Sequence, residues 1–483
     1  MPINRARILA FSLLYIAIVW GPRMAAGQTS STSSGTPTTV SVTIPQSVTQ
    51  NGYTGSVPLP QPTPGVLSLS FLEAIDRGLK QNLGLLLSED STISARGEKW
   101  KELSNLLPNV VAKGQEVAQQ TSLSALGLRL SIFPRVIGPF NYFDVRASLN
   151  QSVFNWNYIQ KERAAAQSVK AAEFSYKDAR ELVVLVTGNA YLQAIAGAAR
   201  VETAEAQVQT AQTLFTRSSD QLKAGVVPAI DALRAQVELQ SRQQQLIAAR
   251  NEFAKQKLAL ARIIGLALGQ EFMLSDKAPY DMLIPPTLEE GLRRAYASRS
   301  DYQAALAQTR AAEFSRRAAT AERYPSFDLE GDYGDIGVNP GNSNGTFHVA
   351  GTLTVPIFQG GRVHADTLEA EATLRQARAR LEDLRGQIDN DVRTALLNLN
   401  AAADQVQVAR STVDLAEQTL TQAQDRFSAG VSDNLEVVQA QESVASAHEA
   451  YISSLYAHNL AKVELARALG NAEQGVKQYL KGK

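Results

Sequence analysis

Two phrases in the chain carry the residues with the most chemical promise. QLKAGVVPAIDALRAQ runs from Gln221 to Gln236, and RFSAGVSDNLEVVQAQ runs from Arg426 to Gln441. Each sets an acid just beyond a glycine turn, Asp231 in the first and Glu436 in the second, 205 residues apart. A carboxylate there stabilises the start of a helix by roughly 0.3–1 kcal/mol. A second set, Asp328, Glu330 and Asp332, alternates along SFDLEGDY and would line one face of a strand. Acids there would most simply sit solvated. The histidines form no metal spacing: His448 and His458 lie ten apart on one helix, and His348 and His364 have no partner at i+4. GVNPGNSNG reads as a turn, since it lacks the Lys-Ser/Thr ending and following helix of a phosphate loop. With no cysteine there is no thiolate ligand or nucleophile. No catalytic, metal or cofactor site is expected.

The elements that must position these acids are written twice. Gly225 and Gly430 each follow a long helical pattern, where glycine adopts the left-handed conformation that ends a helix. Pro228 suits the first position of the next helix, which puts Val227 and Ser432 at the caps. ARIIGL (Ala261 to Leu266) aligns with ARALGN (Ala466 to Asn471) at the same offset of 205. Pro108 in NLLPNV answers Pro325 in AERYPSF at 217, so the first copy is about a dozen residues longer ahead of its second strand. A period this long indicates duplication of a large unit rather than a solenoid. Each unit reads helix, strand, strand, long helix, helix.

No proline occurs from Phe140 to Val227, nor from Ile357 to the end. A helix from about Tyr158 to Lys223 would be on the order of 100 Å long. Val201, Ala204, Val208, Ala211, Phe215, Ser218 and Leu222 recur at alternating spacings of three and four, and Val406 to Phe427 repeat that seam. This is a coiled-coil pattern. Return helices are expected over about Pro228 to Ile264 and Asp433 to Leu469. Between the prolines and the long helices the period becomes two. Phe347, Val349, Leu353 and Val355 fall opposite His348, Ala350, Thr352 and Thr354, and Val145, Ala147 and Leu149 fall opposite Asp144, Arg146 and Ser148. Four such strands suit either a half-buried soluble sheet or a membrane-spanning barrel wall. In lipid an open edge is not tolerated, so four strands would require at least a second copy to close.

The 483 residues carry zero formal net charge, which gives no basic footprint for nucleic acid. Arg5 and Arg7, the apolar run Ile8 to Trp20 and AAG at Ala25 to Gly27 read as a signal peptide over 1–27. Residues 28–65, rich in Ser, Thr and Pro, are expected to be a disordered lead. No other run is apolar enough for a helical membrane span. The remaining organisation is a first repeat over 66–270, a linker over 271–287, a second repeat over 288–470 and a tail over 471–483.

The order of these signatures resembles the TolC-like outer-membrane efflux proteins over about Leu67 to Leu469. The carriers are the duplication, RYPSF, VPIFQGGR (Val355 to Arg362), the AGV turns and the ALG helix end. The resemblance implies a mainly α fold with a small β part. It implies a homotrimer whose twelve-stranded outer-membrane β-barrel continues into a periplasmic α-helical barrel. It also implies docking onto a periplasmic adaptor and inner-membrane pump, as a passive duct of an efflux or type I secretion system. Short helices near Leu72 to Leu106 and Pro286 to Glu322 would form a belt. The family narrows its periplasmic entrance with acids three residues apart after the second turn. Glu436 occupies the first position, while Gln439 departs from the pattern at the second. The rival readings are a periplasmic adaptor and an exported coiled-coil scaffold without a channel.

Overall fold

The structure is a computed structural model that describes residues 50–483 apart from 60, 63, 124, 126, 128–133, 277–280, 282, 433 and 480–483. The expected signal peptide and residues 28–49 of the expected lead lie outside the described residues.

The duplication is visible in element lengths. In the first half, α1 (Phe71–Gln81) and α2 (Leu83–Ser104) precede strands β2 (Asn109–Ser122) and β3 (Val136–Asn155), then α3 (Trp156–Lys223) and α4 (Ala229–Ile263). The second half repeats this as α5 (Leu288–Ser298), α6 (Ser300–Ala321), β5 (Ser326–Asn339), β6 (Asn342–Thr354), α7 (Arg362–Ser428) and α8 (Asn434–Ala468). Helices α3 and α7 have 68 and 67 residues, and α4 and α8 have 35 each. The extra residues of the first copy fall in the β2–β3 connection. In the second copy the hairpin turn contracts to Pro340-Gly341, and strand extends into what reads as turn in the sequence.

Sequence patterning misses several short elements. The short helical stretches before the strands each break in two, at Asn82 and at Arg299, both with extended backbone. Asn82 is fully buried: its side-chain oxygen accepts from the Leu85 amide and its side-chain nitrogen donates to the Tyr53 carbonyl. Two three-residue strands, β1 (Leu67–Leu69) and β4 (Phe272–Leu274), pair in parallel and tie the linker to the first repeat. Helix α9 (Ala472–Tyr479) lies in the tail. The expected disorder of the lead is corrected for its described end. Gln50–Tyr53 forms a 3-10 turn, Val57 donates to the Gln81 carbonyl and Leu59 to the Gly265 carbonyl. Composition did not show that Tyr53 packs against the Leu85–Val183 cluster, which supplies the apolar burial the flanking residues lack.

The four long strands form one antiparallel sheet in the order β2-β3-β5-β6. Its register keeps the expected faces: Ser148 pairs with Asp332 and Asp332 with His348, while Ala147 pairs with Tyr333 and Tyr333 with Phe347. The main core lies where α1, α3, α4 and α8 meet β1 and β4, around Tyr191, Val184, Leu260, Ile264 and Val463. A second core joins α5, α7 and α8 around Ile388, Leu399 and Leu465. A third, smaller one ties the two hairpins near their ends through Leu214, Ala235, Ala423, Phe427 and Val437. The heptad seam faces inward in both long helices, with Ala204, Ala211, Val406 and Ala423 buried. Leu222, its last member, is exposed. By composition α3 contains one stretch apolar enough to cross a membrane, which the sequence reading did not count. That stretch is 61% buried, so it belongs to the core.

Candidate functional site: hairpin ends and the polar face of the sheet

Both hairpin turns use the same helix stop. Gly225 has φ 74° and Gly430 φ 69°. Val226 donates to the Gln221 carbonyl and Gly225 to that of Leu222; Val431 donates to Arg426 and Gly430 to Phe427. These paired bonds satisfy the carbonyls a helix end leaves free, the Schellman arrangement, and require the left-handed residue. Gly265 and Gly470 end α4 and α8 in the same way. One cap differs from expectation. Pro228, expected at the first helical position, is the cap of α4 itself, with ψ 155°. Its ring fixes φ but leaves ψ free, so either position is sterically open. Helix α8 is described from Asn434, and position 433, between it and Ser432, lies outside the described residues. The Ser432 hydroxyl is buried and, among the described residues, has no hydrogen-bond partner.

The two acids behave differently once packed. Asp231 is buried, 3.6 Å from Arg234, and its carbonyl accepts from the Asn434 side chain at 3.0 Å across the two hairpins. It therefore sits between hairpins. Glu436 is half-exposed and pairs with Arg426 at 3.3 Å, back across its own turn. Gln439 is exposed. Further along, Arg242 is nearly sealed at 3% exposure, donating to Glu238 at 2.6 Å on its own helix and to Glu442 at 2.5 Å on α8. Arg242 joins the hairpins, and no spacing rule in the sequence marks it.

On the sheet, Asp332 pairs with Arg146, which also meets Asp144 at 3.1 Å, and His348 lies 3.7 Å from Asp332. Asp328 accepts from the Ser326 hydroxyl at 3.4 Å. Glu330 is exposed. Thus the three alternating acids share one face, as the period of two requires, but only Asp332 joins a charge cluster.

The feature sequence reasoning missed entirely is a charge network where the repeats meet. Arg467 of α8 binds Asp178 and, at 2.9 Å, Glu181, both on α3. Arg299, at the α5–α6 break, binds Asp301 at 2.7 Å and Asp391 of α7 at 2.9 Å. Burial pushes Glu181 up from 4.5 to about 7 despite the pull of Arg467, and raises Asp178 in the same sense. Burial also works on Asp301, but its bonds to Arg299 win and hold it below the usual range. Arg467 lies 286 and 289 positions from its partners and Arg299 lies 92 from Asp391, so no local pattern announces these contacts.

The family model described as outer membrane efflux protein matches residues 103–266 and 291–471, spanning both repeats. The chain belongs to the outer membrane efflux protein family. Among its relatives, the pyoverdine export outer membrane protein OpmQ of Pseudomonas aeruginosa is 25% identical over 345 residues, covering 70% of this chain and 72% of that protein. The alkaline protease secretion protein AprF of the same organism is 26% identical over 319 residues, 62% of this chain and 64% of that protein. The crystal structure of the Campylobacter jejuni CmeC outer membrane channel superposes with a TM-score of 0.73 at 18% identity, over 89% of this chain and 94% of that one. This efflux family member is an outer-membrane channel of an efflux or secretion system in a Gram-negative envelope, mostly helical with a small sheet. The adaptor and scaffold readings are set aside. As an outer membrane efflux protein it works within multi-component systems, which implies adaptor and pump partners.

Proposed function

We propose that three copies assemble into one passive export duct, with a twelve-stranded barrel in the outer membrane and a helical tunnel below it. The observation that carries this reading is the open sheet. Strands β2 and β6 each leave one edge unpaired, and the sheet's apolar face is exposed, with Phe347 at 79% and Val349 at 68%. In lipid every backbone donor needs a partner, so the free edge of β6 pairs with β2 of a neighbour until the ring closes. Three copies close it at twelve strands, the number the family resemblance implies.

The helices point the same way. Leu397, Val408 and Leu415 form one exposed apolar stripe on α7, and Leu233, Val237, Ile247 and Leu258 another on α4. Spacings of 11 and 7 on α7, and of 4, 10 and 11 on α4, keep each set on one helix face, so they suit a neighbouring helix rather than water. In this arrangement the repeats over 66–270 and 288–470 each contribute two strands and one hairpin per copy. The signal peptide over 1–27 directs export, and the linker and tail join the belt. The polar face with Asp328, Glu330 and Asp332 lines the lumen.

Transport then follows from width and charge, without catalysis, the energy coming from a pump reached through an adaptor at the hairpin ends. OpmQ is named for pyoverdine export and AprF for protease secretion, so the shared architecture does not by itself choose a cargo. Glu436 is the entrance candidate, with its charge tempered by Arg426 and with Gln439 contributing none.

Planar-bilayer recordings on the purified protein test the reading. A small, stable conductance with a solution mass of three copies supports it; a monomer that fails to insert defeats it. Replacing Glu436 with Ala is expected to shift cation selectivity or block by multivalent cations. An unchanged channel removes Glu436 from the entrance.

A further inference from the structure

Strand β6 ends at Thr354 and α7 begins at Arg362, and the seven residues between them read VPIFQGG. In the first repeat there is no such gap, because β3 passes straight into α3 at Trp156. Ile357 is 96% exposed, the most exposed large apolar side chain among the described residues, and Phe358 is 87% exposed. Gly360 and Gly361, at φ 60° and 84°, then turn the chain into α7.

The residues beside this loop indicate what covers it. Phe327 lies directly opposite both Phe154 and Leu353, one pair from the lower end of the sheet. By strict alternation Phe154 would face the polar side. A register shift between Ser152 and Phe154 re-aims it onto the apolar face, as a bulge does. Trp156 follows with its ring 6.4 Å from that of Phe154. Immediately below, aromatic rings are capped by guanidinium groups: Arg163 sits over Trp156 at 5.8 Å and Arg323 over Tyr324 at 5.4 Å. Apolar side chains ending in aromatics, then arginine, is the order that a bilayer presents from acyl chain to headgroup.

We infer that the loop around Ile357 and Phe358 is a membrane wedge, seated in the interfacial zone of the periplasmic leaflet beside Phe154 and Trp156. The lipid-contacting surface thus extends below the sheet onto the entry of α7, once per copy and only in the second repeat. The inference rests on the proposed barrel. It commits to lipid because the exposed apolar residues that lead into the loop, Leu353 opposite Phe327 and then Val355, belong to the sheet's apolar face.

The chain has no cysteine, so single labelling sites are available without background. Phe358→Cys carrying a nitroxide, reconstituted in phosphatidylethanolamine–phosphatidylglycerol vesicles, is read by collision with oxygen and with a water-soluble nickel chelate. Val349→Cys on the sheet's apolar face serves as the reference. The expected result is oxygen collision several-fold above nickel collision at both sites, with the loop label shallower. Low collision with both reagents at the loop, with Val349→Cys still in lipid, shows a neighbouring copy covering it and overturns the inference alone. Dominant nickel collision at the loop overturns it in favour of water. If Val349→Cys is also out of lipid, the barrel reading itself fails. Ile357→Cys repeats the measurement should the Phe358 variant not assemble.

Discussion

The belt, where the two repeats share the larger cores, and the hairpin ends, where a small one ties them, are built from similar helices but settle their buried polar groups differently. At the belt, Arg467 reaches two carboxylates and Arg299 reaches two more, spanning α3, α5, α6, α7 and α8. At the ends, Ser218 Oγ, Gln221 Oε1, Ser432 Oγ, Asn434 Oδ1 and both polar atoms of Gln441 are buried without a hydrogen-bond partner among the described residues. A buried group left unmade costs about 1–3 kcal/mol. Thr187 Oγ1 and Asn471 Oδ1 beside the belt are unpartnered among the described residues as well, so what sets the belt apart is its ion network across the repeats.

The largest effect that can break this comparison is at Arg467. Arg467→Ala leaves Asp178 and Glu181 buried and unpaired, and is expected to destabilise by about 3–5 kcal/mol. Thermal unfolding of the detergent-solubilised protein would show it as a large drop in midpoint. A drop no larger than that of a surface substitution would mean that the network does not hold the belt. A smaller effect is a pH slope. Glu181 holds its proton up to about 7 when folded, against 4.5 as its ordinary value. Between those values the folded chain binds a proton that the unfolded chain has released, so this group's contribution to stability falls as pH rises through the window. Glu181→Gln is expected to flatten that slope, seen by comparing unfolding midpoints at about pH 5 and about pH 8. An unaltered slope would move the titration elsewhere in the network. The smallest expected effect lies at the other end. Ser432→Ala removes a hydroxyl that bonds nothing, so stability should stay within about 0.5 kcal/mol of the parent, or rise. A clear loss would show that the tip is better satisfied than it looks and would weaken the contrast.

Some of this was legible in the sequence because the signal is local and repeats. The absence of proline and the three-four seam gave α3, expected from about Tyr158 to Lys223 and found over Trp156–Lys223, and marked a matching helix in the second copy. The period of two gave the sheet's faces, and glycine at 225 and 430 gave the helix stops. Each of these is set by backbone geometry acting over a few neighbouring residues. The resemblance built on their order also led to the right family. Local rules were weaker at caps, where Pro228 stands one position earlier than expected, because helix ends fray and their boundaries shift by a residue or two.

The sequence by itself determined the duplicated unit, its helices, its strand faces and its kinship with outer-membrane efflux channels. Only the tertiary structure decided what the polar groups do. It buried Asp231 against the other hairpin and turned Glu436 back onto Arg426. It sealed Arg242 between the hairpins, joined Asp178 and Glu181 of the first repeat to Arg467 of the second, and turned Phe154 outward through a bulge. Periodicity fixes which face a side chain occupies. Which partner waits on that face depends on residues distant in the chain, and no local spacing encodes that.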